Sequence, residues 1–372
     1  MVESTWAPPV EASLLNAAHA PLSLPRSASK WPTLLLAVGL VVALAALAIG
    51  WAFKTERARA AIRLQAVADL RQAQVDAWLA EKLNLGRLVS TSTADAELIS
   101  QWRDRGDAQA LARLQGRLTE LGQIARASAA FVIDGQAQLV ATSPPGATAP
   151  AATAPGNPPG AAAPAGAPTA TPVTPAIETT PELKAAALRA LASNEVTHTG
   201  IYRRDAADPP IRLDIVLPLQ RSGTPARAAV VLRMDPREQL YPMLRAWPVP
   251  SDSGETVLWQ REGDQMRALS ELRLDGSAAG SASATAQAGR FVRPVGPVGA
   301  LVERARRGDM RADESLVTTD SRGQPVHLMV RLIAGTDWWL MTRLTQREID
   351  APAWAVTGWV AALAGLLLAL AA

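Results

Sequence analysis

Four side chains in the middle of the sequence are of types that could hold a small ligand. Tyr202 and Arg204 follow Gly200 at the end of an apolar run. An arginine there can offer its planar fork to a carboxylate. Asp214 alternates with Leu213 and Ile215. On a strand it faces opposite to them, toward a pocket or toward solvent. Asp134 precedes Gly135 between two apolar runs, as a turn residue or a ligand contact. Asp134, Tyr202, Arg204 and Asp214 are therefore the candidate ligand-binding residues.

Other chemistries have little to work with. The sequence holds no cysteine, which excludes disulfides, thiolate-bound zinc and thiol nucleophiles. Of its three histidines, His19 lies near the N-terminus, and His198 (VTHTG) and His327 (PVHLM) sit in predicted strands. The last two read as structural or surface histidines. There is no HExxH, no CxxC, no Ser/His/Asp constellation and no Gly-rich nucleotide loop between a strand and a helix. Asp313-Glu314 and the Glu262/Asp264 pair read as turn and loop charges. No enzyme activity, metal or cofactor is expected. The 37 basic and 34 acidic residues leave a net charge of +3 with no concentrated basic face, which argues against nucleic acid as a partner.

The elements that must position these residues lie between two apolar runs. Pro32 to Phe53 and Ala353 to Ala372 carry no charge, and each is close to the ~20 residues a helix needs to cross hydrocarbon. The first run is longer than the roughly 7–15 residues of a signal-peptide core and follows a long leader, so an uncleaved anchor is expected. Residues 54–92 contain no proline and continue straight from it. Val67, Leu70, Ala77, Trp78, Leu85 and Leu88 form the expected apolar stripe of a stalk helix. A second helix is predicted from Asp95 to Arg126, broken near Gly106.

Helix then gives way to strand. AAFVIDGQAQLVATS reads as a hairpin turning on Asp134-Gly135. The uncharged Pro/Ala/Gly stretch to Pro175 cannot bury a core and reads as an inserted loop. A short helix over 182–192 and strands over 197–202, 211–219 and 228–234 follow. Asp235-Pro236 opens a predicted helix, REQLYPMLRAW. The same order then repeats: a strand over 255–261, a turn at Glu262-Gly263-Asp264, a strand over 265–269, a small-residue loop over 276–290, helical turns over 298–307, and strands over 315–319, 326–333 and 338–344. Trp247 is expected to pack the junction between the two rounds. Trp338 and Trp339 must face opposite ways, one into the core and the other toward a membrane-proximal surface. The fold class is α+β: two PAS-like antiparallel sheet units in tandem after a long N-terminal helix, flanked by two transmembrane helices. The expected organisation is a disordered tail over 1–31, a span over 32–53, stalk and packing helices over 54–127, a first unit over 128–234 with its insertion over 144–180, a second unit over 235–345, and a helix and second span over 346–372.

This arrangement resembles the double Cache (dCache-like) extracytoplasmic sensor domain of bacterial receptors, across roughly residues 54–350 without the insertion. LQAVADLRQAQVDAWLAEKLNLGRLVS is similar to the first helix of such domains in sensor histidine kinases and diguanylate cyclases. AAFVIDGQAQLVATS is similar to their opening hairpin. DPREQLYPMLRAWPVPSDSGETVLWQREGDQMRALSELR is similar to the junction and first hairpin of a second unit, and DSRGQPVHLMVRLIAGTDWWLMTRL to the closing strands. The resemblance implies a small-molecule ligand in the membrane-distal unit. It implies a second span leading to a kinase, cyclase or methyl-accepting module that this sequence does not contain, and neither a phosphoacceptor motif nor a GGDEF-like sequence is present. The amino-acid-binding signature of many such domains is not clear here, so no ligand identity carries over. Lys54, Arg57, Arg59 and Arg63 outnumber Arg26 and Lys30 around the first span, but long translocated segments override that count. The resemblance places the N-terminus inside and residues 54–350 in the periplasm, in a two-pass protein of the bacterial inner membrane. A homodimer through the stalk helix is expected. The alternative is a two-span membrane protein whose outer domain binds a protein partner.

Overall fold

The computed structural model describes residues 31–143, 177, 179–203, 211–220, 226–272, 288–309, 314–320 and 323–371. The expected tail with His19, most of the Pro/Ala insertion, Arg204 and most of the 276–290 loop lie outside the described residues.

The chain divides into two units, one of residues 1–54 with 353–372 and one of residues 55–352. The first contains the apolar ends of two helices, α1 (Trp31–Ser90) and the last helix, α7 (Gln346–Ala371). Both helices are long and apolar enough to cross a membrane. Leu36, Leu47, Trp51, Trp359 and Leu370 are exposed on these ends, the distribution of a helix whose solvent is lipid. Phe53 and Trp354 meet edge to face with ring centroids 5.2 Å apart.

The second unit opens on the remainder of α1, followed by α2 (Thr93–Arg105) and α3 (Ala108–Ala125). Gly106 ends α2 in the left-handed region (φ 69°), and the Asp107 side chain caps α3 by accepting from the amides of Gln109 and Ala110. A glycine that tolerates positive φ followed by a capping aspartate is what breaks the helix there.

A five-stranded antiparallel sheet follows. It is made of β1 (Ala129–Asp134), β2 (Leu139–Thr142), β3 (Thr197–Arg203), β4 (Ile211–Pro218) and β5 (Ala228–Met234), with α4 (Pro181–Ser193) between β2 and β3. After a short α5 (Leu240–Arg245) comes a six-stranded antiparallel sheet. Its strands are β6 (Glu255–Glu262), β7 (Gln265–Ala268), β8 (Val292–Pro294), β9 (Leu316–Thr319), β10 (Pro325–Leu332) and β11 (Trp338–Thr345), with α6 (Gly296–Arg306) between β8 and β9. The spatial orders are β2-β1-β5-β4-β3 and β8-β7-β6-β11-β10-β9. Apart from β8 at the edge they are the same order, so the expected α+β pair of PAS-like units is present.

Period-two alternation gives each sheet two apolar faces. Ala130, Val132, Leu213, Ile215, Val230 and Leu232 share one core with Val75, Trp78 and Leu79 of α1, with Leu114 and Leu118 of α3, and with Leu258, Trp338 and Leu340 of the second sheet. Phe131, Ile133, Val216 and Val231 pack instead beneath Leu183, Ala186 and Ala190 of α4. On the second sheet, Val257, Trp259, Val330 and Trp339 pack beneath Val298 and Val302 of α6. Gly86 lets α1 approach this framework: a Cβ there would stand 2.9 Å from Val196 Cγ1.

Several expectations need correction. The buried stripe of α1 runs through Leu64, Val67, Ala68, Arg71, Val75, Trp78, Leu79 and Lys82, while Leu70 and Leu88 are exposed. Two charged residues, Arg71 and Lys82, are themselves buried on this stripe, so apolar residues alone mis-phase the face. The predicted helix after Pro236 shortens to Leu240–Arg245. Pro242 has no amide hydrogen to return to Glu238, and Pro236 to Gln239 form a turn in which the Tyr241 amide donates to Pro236 O at 2.9 Å. Trp338 and Trp339 do face opposite ways, but both are buried, one in each core, and neither reaches a surface.

Candidate functional site

Asp214, Tyr202 and two arginines meet on the α4 face of the first sheet. Register brings them together: Tyr202 pairs with Arg212 across β3 and β4, and Asp214 pairs with Arg233 across β4 and β5. Asp214 is completely buried. Its carboxylate accepts from Arg233 Nε at 2.8 Å and Nη2 at 2.9 Å, and from the Tyr202 hydroxyl at 2.6 Å. This is a bidentate, charge-assisted pair with a third donor, which is what a buried carboxylate needs to offset its lost hydration. The Arg233 guanidinium lies over the Phe131 ring, 5.0 Å from its centroid. The Asp214 amide donates to Thr199 Oγ1 at 3.0 Å, which fixes the strand beneath.

The electrostatics follow from burial. Burial and then the Asp214 charge push the Tyr202 hydroxyl well above its ordinary range, so it stays a donor. Burial lowers the Arg233 guanidinium pKa, but its bonds to Asp214 outweigh that and leave it raised. Arg212 fares differently. Burial and the neighbouring Arg233 both lower it, and its Nη1 is buried without a hydrogen-bond partner. A buried donor left unpaired costs about 1–3 kcal/mol, more for a charged group. An anion or carbonyl oxygen brought to this face would remove that cost.

The sequence candidates thus separate. Tyr202 and Asp214 come together, and the open question about Asp214 resolves to the buried α4 face. Asp134 lies elsewhere. Its Oδ1 accepts from the amides of Gln136 and Gln138 at 2.9 Å each, and its Oδ2 is 3.4 Å from Arg103 Nη2. That is the role of a turn residue closing the β1–β2 hairpin. Arg204 is outside the described residues. Arg212 and Arg233 were missed, although a signal existed. Arg212 stands two before Asp214 on the same strand face, and Arg233 interrupts the apolar run AAVVLRM. His198 is structural: its Nδ1 accepts from the Gly200 amide at 3.1 Å and its ring meets Trp338 edge-on at 5.6 Å. Among the described residues no group of three or more His, Cys, Asp or Glu side chains could hold a metal ion.

No protein-family model matches the chain, and no curated protein matches it in sequence. Solved structures do. The sensory domain of the Campylobacter jejuni chemoreceptor Tlp3 superposes with a TM-score of 0.50 at 7% identity, covering 81% of this chain and 99% of that one. The fold is the double Cache fold of chemoreceptor sensory domains. The isoleucine-bound form of the same Tlp3 domain gives a TM-score of 0.50 at 6% identity, over 81% of this chain and 98% of that one. The ligand-binding domain of the Pseudomonas aeruginosa amino-acid chemoreceptor PctB in complex with L-Arg gives 0.41 at 12% identity, over 76% of this chain and 94% of that one. In double Cache terms, the Asp214 cluster belongs to the first of the two sheet units, and the strand order common to both sheets is the tandem repeat of the fold.

Proposed function

We propose that this chain is the ligand-sensing, membrane-anchored part of a bacterial receptor. It is not an enzyme, and its first sheet unit takes a small molecule bearing a carboxylate. The observation that carries the reading is the buried Tyr202–Asp214–Arg233 cluster with the unpartnered Nη1 of Arg212 beside it. A carboxylate would satisfy Arg212, while Asp214 and Tyr202 orient a polar group next to it. Isoleucine, held by the Tlp3 domain, is a molecule of this class. Arg204, two residues beyond Tyr202, belongs to the proposed site on sequence grounds; Asp134 is assigned to the turn.

In this reading the protein crosses the inner membrane twice, with residues 54–350 in the periplasm, and pairs with a second copy along α1. Ligand binding reaches β11 through the core that the first sheet shares with Trp338 and Leu340. β11 runs directly into α7, since Gln346 follows Thr345. The output lies beyond the second span.

Melting of the full chain in nanodiscs against amino acids, organic acids and polyamines tests the ligand. A specific ligand at ~100 times its Kd adds about 2.7 kcal/mol to stability. Arg212→Ala should abolish that gain. A carboxylate that binds equally well to the Arg212→Ala protein would refute the site. Topology is tested separately. Because the chain has no cysteine, Ala192→Cys on the exposed side of α4, away from α1, reports its compartment by reaction with an impermeant maleimide. Protection in intact spheroplasts would overturn the periplasmic placement.

A further inference from the structure

The second sheet carries a cleft at the place that corresponds to the first site. Arg233 and Arg343 occupy the same topological position: each pairs with the first residue of its sheet's opening strand, Ala129 in β1 and Glu255 in β6. The cleft beside Arg343 has an empty volume of about 390 Å³ including its mouth, and it is walled by Val257, Trp259, Phe291 and Met341. Trp259 and Phe291 stand edge to face with centroids 6.1 Å apart. The Trp259 indole N–H is buried without an acceptor.

Three charged groups also line the cleft: Glu255, Arg293 and Arg343. Glu255 is committed, accepting from Arg343 Nε at 2.7 Å. Arg343 has a second acidic neighbour, since its Nη1 lies 3.9 Å from Asp320. Arg293 has no hydrogen bond or ion pair among the described residues. It is half-buried on β8, and burial together with the facing Arg343 lowers its affinity for the proton, with Asp320 opposing. Each unit therefore holds one arginine paired to a carboxylate and, among the described residues, a second arginine with no carboxylate of its own in an ion pair. A second cation facing a paired one in an apolar cleft is unfavourable until an anion arrives.

We infer that the cleft of the second unit is a separate binding site for a small monocarboxylate with a compact apolar or aromatic body, its carboxylate on the Arg293 guanidinium and its body between Trp259 and Met341. The guanidinium fork matches a planar carboxylate in a way a lysine cannot. The apolar walls, which also include Leu272 and Leu328, select against hydrophilic anions, for which they offer no partner.

The test uses the full chain in nanodiscs at neutral pH, with acetate, propionate, isobutyrate and benzoate as probes, followed by saturation-transfer NMR and calorimetry. Isobutyrate or benzoate should bind more tightly than acetate. Arg293→Ala should weaken that binding at least tenfold, Arg293→Lys less, and Arg212→Ala in the first unit not at all. Because Arg293 has no partner to lose among the described residues, Arg293→Ala should melt no lower than the parent. If it does melt lower, Arg293→Gln, which keeps the side-chain length, reads the same loss of affinity. Binding of isobutyrate or benzoate that survives both Arg293 variants overturns the inference. So does the absence of binding by every probe up to about 10 mM, a range that would reveal even millimolar affinity. Binding lost on Arg212→Ala alone would assign the probe to the first unit and also overturn it.

Discussion

Glu348 is the residue whose removal should most clearly expose how the two-sheet domain grips its last helix. It stands in the first turn of α7, and its carboxylate reaches back to the loop before β6. There it accepts from Ser251 Oγ at 2.7 Å, from the Ser253 amide at 2.8 Å and from Ser253 Oγ at 2.5 Å. Thr345, three residues earlier, accepts from the Glu348 amide at 3.4 Å and donates its own amide to Ser253 Oγ at 3.1 Å. The Thr-x-x-Glu spacing is that of a capping box, but the carboxylate serves a distant loop rather than its own cap. In Glu348→Ala, Ser251 Oγ still serves the Gly254 amide and Ser253 Oγ still serves Thr345. The Ser253 amide and the protons of both serine hydroxyls are left wanting an acceptor. A hydrogen bond to a charged group contributes about 1.5–3 kcal/mol. Three donors lose their acceptor, but both serines and the carboxylate are partly exposed to water, so the net loss should be about 2 kcal/mol, which lowers the melting point of a domain this size by about 4 °C. The pH dependence supplies the sharper test. Burial raises the Glu348 carboxyl, but the hydroxyl and amide donors of Ser253 and Ser251 outweigh it and leave it below the ordinary range. A depressed carboxylate contributes its stability above its unfolded value, near 4.3, and loses it as pH falls through the folded value. The melting difference between the parent and Glu348→Ala should thus be constant from pH 6 to 8 and should shrink below about pH 4. A difference that is absent at pH 7, or that persists undiminished in acid, would refute this account of the clamp.

Three further outcomes are expected. Asp214→Ala should cost about 3–5 kcal/mol in denaturant unfolding, because it strands the buried Arg233 charge, whereas Tyr202→Phe should cost about 1 kcal/mol; equal costs would mean that the ion pair is not the core of the cluster. Gly254→Ala places a Cβ 2.6 Å from both Ser251 Oγ and Trp247 Cε2, so it should destabilise by about 1–3 kcal/mol, with altered tryptophan fluorescence as its signature. Burial lowers His198, with Arg189 adding and Asp337 opposing. A histidine held neutral in the fold loses its contribution as pH falls from about 6.5 through its folded value, so melting curves of the parent should decline over that range and those of His198→Gln should decline less.

Much of this fold could be read directly from residue order. Asp134-Gly135 and Glu262-Gly263 mark hairpins because turns demand particular backbone angles, and Gly106-Asp107 marks a helix break for the same local reason. What failed was non-local. The face that α1 buries depends on two sheets far along the chain, and Arg71 and Lys82 lie on it although their types suggest solvent. The three-residue β8 pairs only because β7 offers an edge, and nothing within VRP announces a strand. The candidate site was half legible. Tyr202 and Asp214 were visible by type and alternation. Their partnership with Arg233 depends on the pairing of β4 with β5, a register that no single strand encodes. Trp338 and Trp339 were legible in direction but not in destination, because a strand's alternation does not say what covers each face.

β11 lies at the centre of its sheet, with β6 on one side and β10 on the other, and residues 338 to 342 are all buried. Alternate side chains of this stretch answer to different cores, Trp338 and Leu340 to one and Trp339 and Met341 to the other. For the lineage that carries this gene, the strand is therefore a passage with almost no room to drift. A substitution at an even position is judged by one set of neighbours and at an odd position by another, and compensating changes would have to arise on different helices. The alternation on β9, where every second residue is exposed, leaves half of its positions free. Divergence within this sheet should accumulate at its β9 edge long before it reaches the strand that leads into α7.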